Sequence, residues 1–521
     1  MLTEPSTLPA LLRHQRHRGA HPLLVCDDQR ISYADADRRS ARLAKGLLAL
    51  GVGKGTHVGV LQPNGTEFVE AMLAAARIGA VVVPFSTFLT AGELHQQLAG
   101  SDVVLMLAAR SFRSHDYVRR FTEALGIDDS AFAEPLFTTE APSLRHVVFD
   151  TGRLCAHGET VDEALLTAVE DDVHGADTLA IIYTSGSTGI PKGAVHTHAA
   201  MIGHQGNLNT IRGLTADDRL FSNSPFFWVG GFAFGLLATL AAGATLICSN
   251  ATDAGDTLDL IEMEKPTVTN GFAAPITHLT RHPSFAERDL SALRRGNLYP
   301  IMAPAARPAD PGLRHNMLGM TEAGSVVLIS GDDSDQPESR RGSYGRPAPG
   351  FETKILDTGE LCIRGPFVMQ GYYGRSRAEC FDPDGWFHTG DLVRTDSDGF
   401  FYFHGRAGSM IKTAGANVTP TEVESALSKV LANSVTGEPG VHVLGLPDAE
   451  RGQIVAAVIA LDDITDFDIT DFDEAAVRRR LRSEISAYKV PQRFAVCRRA
   501  DIPLLSSGKV DIAGLTKFFD V

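Results

Sequence analysis

The chain has 521 residues, 44% of them hydrophobic and 21% charged, a globular balance that excludes a disordered or fibrous protein. Its 48 basic residues face 63 acidic ones, giving a formal charge of −15 with no basic tract, which excludes nucleic-acid binding through a broad electrostatic footprint. The length predicts about two to four structural units. Six cysteines (Cys26, Cys155, Cys248, Cys362, Cys380, Cys497) are scattered without a CxxC pair. That spacing argues for a reducing compartment and against a disulfide framework or a zinc site.

The N-terminal stretch MLTEPSTLPALLRHQRHRG lacks the long apolar segment of a signal peptide, and a cytoplasmic location is expected. Residues 31–52, ISYADADRRSARLAKGLLALGV, carry apolar side chains at helical spacing and stop at Gly51. THVGVLQPN then reads as a strand, TEFVEAMLAAARIGA as a helix and VVVPFS as a strand. ELHQQLAGSDVVLMLA repeats the rhythm of helix then strand. Alternation of this kind predicts a largely parallel sheet flanked by helices. GVGKGT (51–56) has part of a dinucleotide fingerprint but follows a helix and precedes a strand, so it is read as a turn.

Residues 183–193 read YTSGSTGIPKG, behind the apolar run Leu179–Ile182. Glycines leave backbone N–H groups bare, and together with hydroxyls and a lysine they suit a polyphosphate. The spacing does not match the Walker pattern. His196, His198 and His204 follow, with no fourth ligand at metal spacing, and are read as ordinary polar residues near a site wall. From Leu220 to Thr252 no residue is charged, yet four glycines and the β-like ATLIC favour a buried helix and strand over a membrane span.

After about residue 340 short strands such as TKILD, GELCIRG and GFFYFHG alternate with Gly and Pro turns, predicting a β-rich subdomain. GRAGSM (405–410) reads as a joint. Beyond it Thr419 is expected to N-cap a helix, with Pro420 at its first position and Glu422 closing a capping box. GVHVLGL and GQIVAAVIAL are predicted strands and EAAVRRRLRSEI a helix. The acidic run 462–474 lacks the glycine and spacing of a calcium loop and is read as a solvated linker. The expected fold is α/β: a large N-terminal domain, residues 1–408, of parallel and mixed sheets with flanking helices and the β-rich subdomain, then a small mobile α+β domain, residues 409–521.

The order TSGSTGxPKG resembles the phosphate loop of the adenylate-forming superfamily, which includes acyl-CoA synthetases, peptide-synthetase adenylation domains and luciferases. GMTEAG (319–324), YGRPAPG (344–350), GELCIRGPFVMQGYY (359–373), DGWFHTGDLV (384–393), GRAGSMIKTAGANVTPTEVE (405–424), AYKVP (487–491) and LSSGKVDIAGL (505–515) follow in the family's order. NGTEFVEAMLAAARIGAVVVPFS (64–86) matches its N-terminal region, so the resemblance spans essentially the whole chain.

The resemblance implies an acyl-CoA synthetase that converts a carboxylic acid and ATP into acyl-AMP and pyrophosphate, then passes the acyl group to coenzyme A. It implies that Thr184, Ser185, Gly186, Ser187, Thr188 and Gly189 with Lys192 cradle the phosphates. Gly319, Met320 and Thr321 would lie near the nucleotide, with Thr321 by the α-phosphate. Glu322, with Thr184, would hold Mg2+. Asp391 would accept from the ribose hydroxyls, assisted by Arg406. Lys509 would bridge the carboxylate and α-phosphate, and the C-terminal domain would turn about 405–410 to expose the thiol path.

Phe227, Trp228, Gly230, Phe232 and Phe272 are candidates for an apolar acid pocket, favouring an aliphatic or ring-bearing acid over an amino acid. The chain departs from the family pattern at Gly408-Ser409 in the joint, at Leu318 before the Thr-Glu motif and at Trp228 in the substrate wall. The helix that usually precedes that motif is replaced by the proline-rich stretch 302–320. Two other readings stay open: loading of a carrier protein, and a non-catalytic nucleotide sensor. No transmembrane segment is expected, which leaves peripheral membrane contact open, and the chain is read as a monomer or homodimer.

Overall fold

The computed structural model describes residues 5–184, 191–273, 276–406, 410–431, 439–461, 472–504 and 510–519. The chain divides into two compact units, residues 1–87, 98–184 and 193–407 in the first and 88–97, 185–192 and 408–521 in the second.

The first unit carries two six-stranded sheets. One runs in the order Arg295–Gly296, Val268–Asn270, Arg219–Ser222, Thr245–Cys248, Pro22–Cys26, Gln29–Ser32. Its first five strands are parallel neighbours and the last is antiparallel. The other includes Thr178–Thr184, Val81–Pro84, His57–Leu61, Leu105–Ala108 and His146–Val148, all paired in parallel. Strands such as Val81–Pro84 and Thr245–Cys248 are buried at every residue, as parallel strands covered on both faces must be. Helix Tyr33–Ala49 starts where Ser32 caps it by accepting from the Asp35 N–H. Its apolar face and helix Thr66–Arg77 close one continuous core with the strands.

Beyond these sheets, four antiparallel strands (Glu352–Ile355, Glu360–Arg364, Phe387–Thr395, Phe401–Arg406) form the β-rich part, with a separate apolar core. In the second unit the long strand Gly452–Leu461 pairs antiparallel with Gly440–Asp448 and parallel with Arg493–Arg498, and its residues are buried from Val455 to Leu461. Helices Pro420–Leu431 and Glu474–Glu484 cover one face, and the C-terminal residues up to Phe519 cover the other. The architecture is the expected mixed α/β fold with a β-rich region and a C-terminal α+β domain. Among the described residues no helix is long and apolar enough to cross a membrane.

Two local expectations need correction. The apolar stretch after Pro225 does form a helix, but it opens as a π-helix over Gly230–Leu237 before turning α at Ala238–Ala242. The Glu422 carboxylate does not close a capping box. Its Oε1 accepts from Lys489 Nζ at 2.6 Å, and its buried Oε2 has no partner among the described residues. The acidic run lies mostly outside the described residues.

Candidate active site

Thr184 ends the strand Thr178–Thr184, and Lys192 begins the strand Lys192–Thr197. Ser185, Gly186, Ser187, Thr188, Gly189, Lys509 and the joint Gly408-Ser409 lie outside the described residues, as does the Arg406 side chain.

The Thr-Glu motif is a tight turn. Strand Leu318–Met320 runs into a single 3-10 turn, Thr321–Ala323, and Gly324 reverses the chain at φ 66°, where a side chain would be strained, into strand Ser325–Ile329. The upstream stretch holds single 3-10 turns at Tyr299–Ile301, Pro304–Ala306 and Pro311–Leu313. Glu322 is held twice by the segment before Tyr373. Its backbone oxygen accepts from the Met369 N–H at 2.8 Å, and its Oε1 accepts from the Tyr372 hydroxyl at 2.6 Å. From below, His196 Nε2 donates to the Thr321 carbonyl at 2.7 Å. That bond leaves Nδ1 bare and buried without a partner among the described residues. Burial lowers the His196 imidazole to about 4, so it works as a neutral donor.

The histidines are therefore not ordinary polar residues of a wall: His196, His198 and His204 are all fully buried. Among the described residues no group of three or more His, Cys, Asp or Glu could hold a metal.

Asp391 is 4% exposed and faces Arg406 across the antiparallel pair Phe387–Thr395 and Phe401–Arg406. Thr389 fixes the bend before it: its hydroxyl accepts from the Asp391 N–H at 3.0 Å and donates to the Leu361 carbonyl at 2.6 Å. The two residues expected at the ribose thus share one position in the sheet.

Of the pocket candidates, Phe227, Trp228 and Phe272 form one aromatic group, with ring centroids 5.4 and 6.1 Å apart on either side of the indole. Phe232 is instead fully buried in the main core against Phe68, because the helix turns it inward. Two asparagines position the aromatic loop. Asn64 bonds the Ser224 carbonyl at 3.0 Å and the Phe226 N–H at 2.8 Å. Asn223 grips the backbone of Phe272 through its carbonyl at 2.8 Å and its N–H at 2.9 Å. A Cβ on Gly231 would stand 2.1 Å from the Pro225 carbonyl oxygen, so only glycine lets the helix approach this loop. Gly230 has open space beside Ser224, its nearest neighbour at 3.7 Å.

Family models match most of the chain: AMP-binding enzyme over residues 11–373 and AMP-binding enzyme C-terminal domain over residues 422–509. A feruloyl-CoA synthase from an Amycolatopsis species is 32% identical, with 92% of each chain covered. A 3-[(3aS,4S,7aS)-7a-methyl-1,5-dioxo-octahydro-1H-inden-4-yl]propanoyl:CoA ligase from Mycobacterium tuberculosis is 31% identical, with 98% of each covered. Among solved structures, o-succinylbenzoate CoA synthetase from Bacillus subtilis superposes with a TM-score of 0.74 at 25% identity, covering 97% of this chain and 98% of that one. On these matches the chain belongs to the AMP-binding enzymes, as an ATP-using acid–thiol ligase of the acyl-CoA synthetase kind.

Proposed function

We propose that the chain activates a hydrophobic, ring-bearing or aliphatic carboxylic acid as its acyl adenylate and transfers the acyl group to coenzyme A. The observation that carries the choice of acid is the aromatic group Phe227, Trp228 and Phe272, with its loop pinned by Asn64 and Asn223. Flat apolar walls of this kind stabilise a ring by burial and stacking. Two relatives, the feruloyl-CoA synthase and the fused-ring propanoyl:CoA ligase, are named for acids of the same class, which supports this reading. Gly230 completes the pocket, and Phe232 supports it from the core.

In the first step a carboxylate oxygen bonds to the α-phosphorus of ATP while the bond to pyrophosphate breaks. The loop 184–189 and Lys192 take up the phosphate charge, Asp391 and Arg406 orient the ribose, and Gly319, Met320 and Thr321 line the nucleotide. Lys509 bridges the two anions as negative charge moves to the leaving group. Glu322, with Thr184, would hold Mg2+, which neutralises phosphate charge when bound. The carboxylate fits such a cation, because among the described residues its Oε2 has no hydrogen bond or ion pair while Oε1 is fixed by Tyr372. One carboxylate completed by substrate phosphates is an ordinary setting for this ion. In the second step the thiol sulfur attacks the acyl carbon, AMP leaves and the thiol proton is released. The C-terminal domain, residues 409–521, withdraws Lys509 between the steps.

The test is a panel of aryl, alicyclic, fatty and amino acids with ATP and coenzyme A, read as thioester. Ring-bearing or aliphatic acids should dominate, and preferential turnover of a free amino acid would overturn the assignment. Acid-dependent pyrophosphate exchange without thioester would favour a carrier-loading enzyme, and no exchange at all a sensor.

A further inference from the structure

Tyr372 belongs to the stretch GELCIRGPFVMQGYY, to which neither composition nor the proposed chemistry gives a task. Its surroundings are rigid. Residues 370–373 run antiparallel along the strand that leaves the phosphate loop: Tyr373 N–H donates to the Gly193 carbonyl at 2.8 Å, Val195 N–H to the Gly371 carbonyl at 3.0 Å, and Gln370 N–H to the Val195 carbonyl at 2.8 Å. Tyr372 itself bridges to Ala194, its N–H points at Cys380 Sγ at 3.3 Å, and its ring lies edge-on to Phe387 at 6.3 Å. From this fixed position the phenol donates to Glu322 Oε1 at 2.6 Å.

We infer that Tyr372 is a positioning residue for the cation: it locks the rotation of the Glu322 carboxylate so that Oε2 faces a divalent ion bound with the nucleotide. The inference rests on Glu322 being the cation's carboxylate. Three features carry it. The bond is a short one between a phenol and a carboxylate, the kind that fixes geometry as well as adding energy. Glu322 is 8% exposed, so water competes poorly for the oxygen that Tyr372 occupies. The same peptide segment also holds the Glu322 backbone, through Met369, so that of the two carboxylate oxygens only Oε1 has a hydrogen-bond partner among the described residues. Partners that orient a metal's ligand typically change metal affinity by about ten- to a hundredfold when removed. Tyr372 therefore ties the strand after the phosphate loop to the metal carboxylate, so that phosphate and cation sites share one frame.

The experiment uses the full-length protein and Mn2+ with ATP as probe, followed by electron paramagnetic resonance. Pyrophosphate exchange titrated with Mg2+ is the second readout. Tyr372→Phe keeps the ring and removes only the donor. It should weaken Mn2+ binding in the ternary complex by about tenfold or more and raise the Mg2+ needed for half-maximal exchange in proportion. The ATP KM at saturating Mg2+ and the unfolding midpoint should stay at the wild-type values. If Tyr372→Phe melts early, 4-aminophenylalanine at 372 restores a donor and should restore Mn2+ affinity. Wild-type affinity in Tyr372→Phe, with Glu322→Gln clearly weakened, overturns the role of Tyr372 alone. Wild-type affinity in Glu322→Gln overturns the reading of Glu322 and this inference with it.

Discussion

His198 Nδ1 accepts from the Leu8 N–H at 3.1 Å, which places the ring proton on Nε2 and leaves no room for a second. His204 is stacked on Phe367 at 5.2 Å and meets Phe351 edge-on at 5.1 Å. Burial is the main cause that lowers both imidazoles from 6.5 to about 4, with Asp177 and Lys54 acting in opposite directions on His198 and His196 adding repulsion at His204. A folded-state value below the unfolded one means that the unfolded chain binds the extra protons. Stability is therefore complete above about pH 6.5 and falls as pH drops toward 4, by about 1.4 kcal/mol per pH unit for each ring. Unfolding midpoints measured between about pH 7 and pH 5 should show this decline. His204→Phe, which fits the aromatic sandwich, should remove about half of the part due to these two rings. An unchanged slope in the variant would show that His204 does not titrate on unfolding.

Within the second unit a buried polar cluster joins the segment 88–97 to the C-terminal elements. Lys489 Nζ donates to Glu93 Oε1 at 2.7 Å and to Glu422 Oε1 at 2.6 Å, while the Ser486 hydroxyl donates to Glu93 Oε2 at 2.6 Å. Lys489 is 6% exposed. Burial would push the lysine down, but Tyr488, Glu93 and Glu422 outweigh it and raise it above its ordinary value. Removing one partner leaves buried carboxylates uncompensated, which typically costs about 3–5 kcal/mol. Lys489→Ala should cost that much in denaturant unfolding, and Lys489→Met combined with Glu93→Gln and Glu422→Gln should regain much of it. A loss within about 0.5 kcal/mol for Lys489→Ala would mean that the cluster behaves as a surface pair.

This cluster also marks where the sequence misleads. Thr-Pro-Thr-Glu is a helix-start pattern, and the helix Pro420–Leu431 does start there, but a lysine 67 residues away takes the carboxylate from the cap. The π-turn was equally hidden, since GGFAFGLL is apolar on all sides and gives periodicity nothing to read.

At the scale of the molecule, what was legible is what repeats or has unusual composition. Alternating helices and strands gave the sheets, and short Gly-flanked motifs marked the turn Thr321–Ala323 and the strand that carries Asp391. What was silent is long-range pairing by ordinary residues. Asn64 reaches Phe226 across 162 residues, His196 reaches Thr321 across 125, and Tyr372 reaches Glu322 across 50. A lone Asn after a strand is also a turn former, and a lone Tyr is also core.

The central claim is a two-step ligase in which Lys509 serves the first step only. Single-turnover kinetics of each half-reaction in Lys509→Ala tests it most directly. Adenylation of the preferred acid should fall about a hundred- to a thousandfold, the usual cost of one preorganised donor to developing charge. ATP binding should change little, because Asp391, Lys192 and the hydroxyl loop remain. Conversion of presupplied acyl adenylate and coenzyme A to thioester should keep its wild-type rate. If thioester formation falls as far as adenylation does, Lys509 acts in both steps or is structural, and the alternation of the C-terminal domain is contradicted.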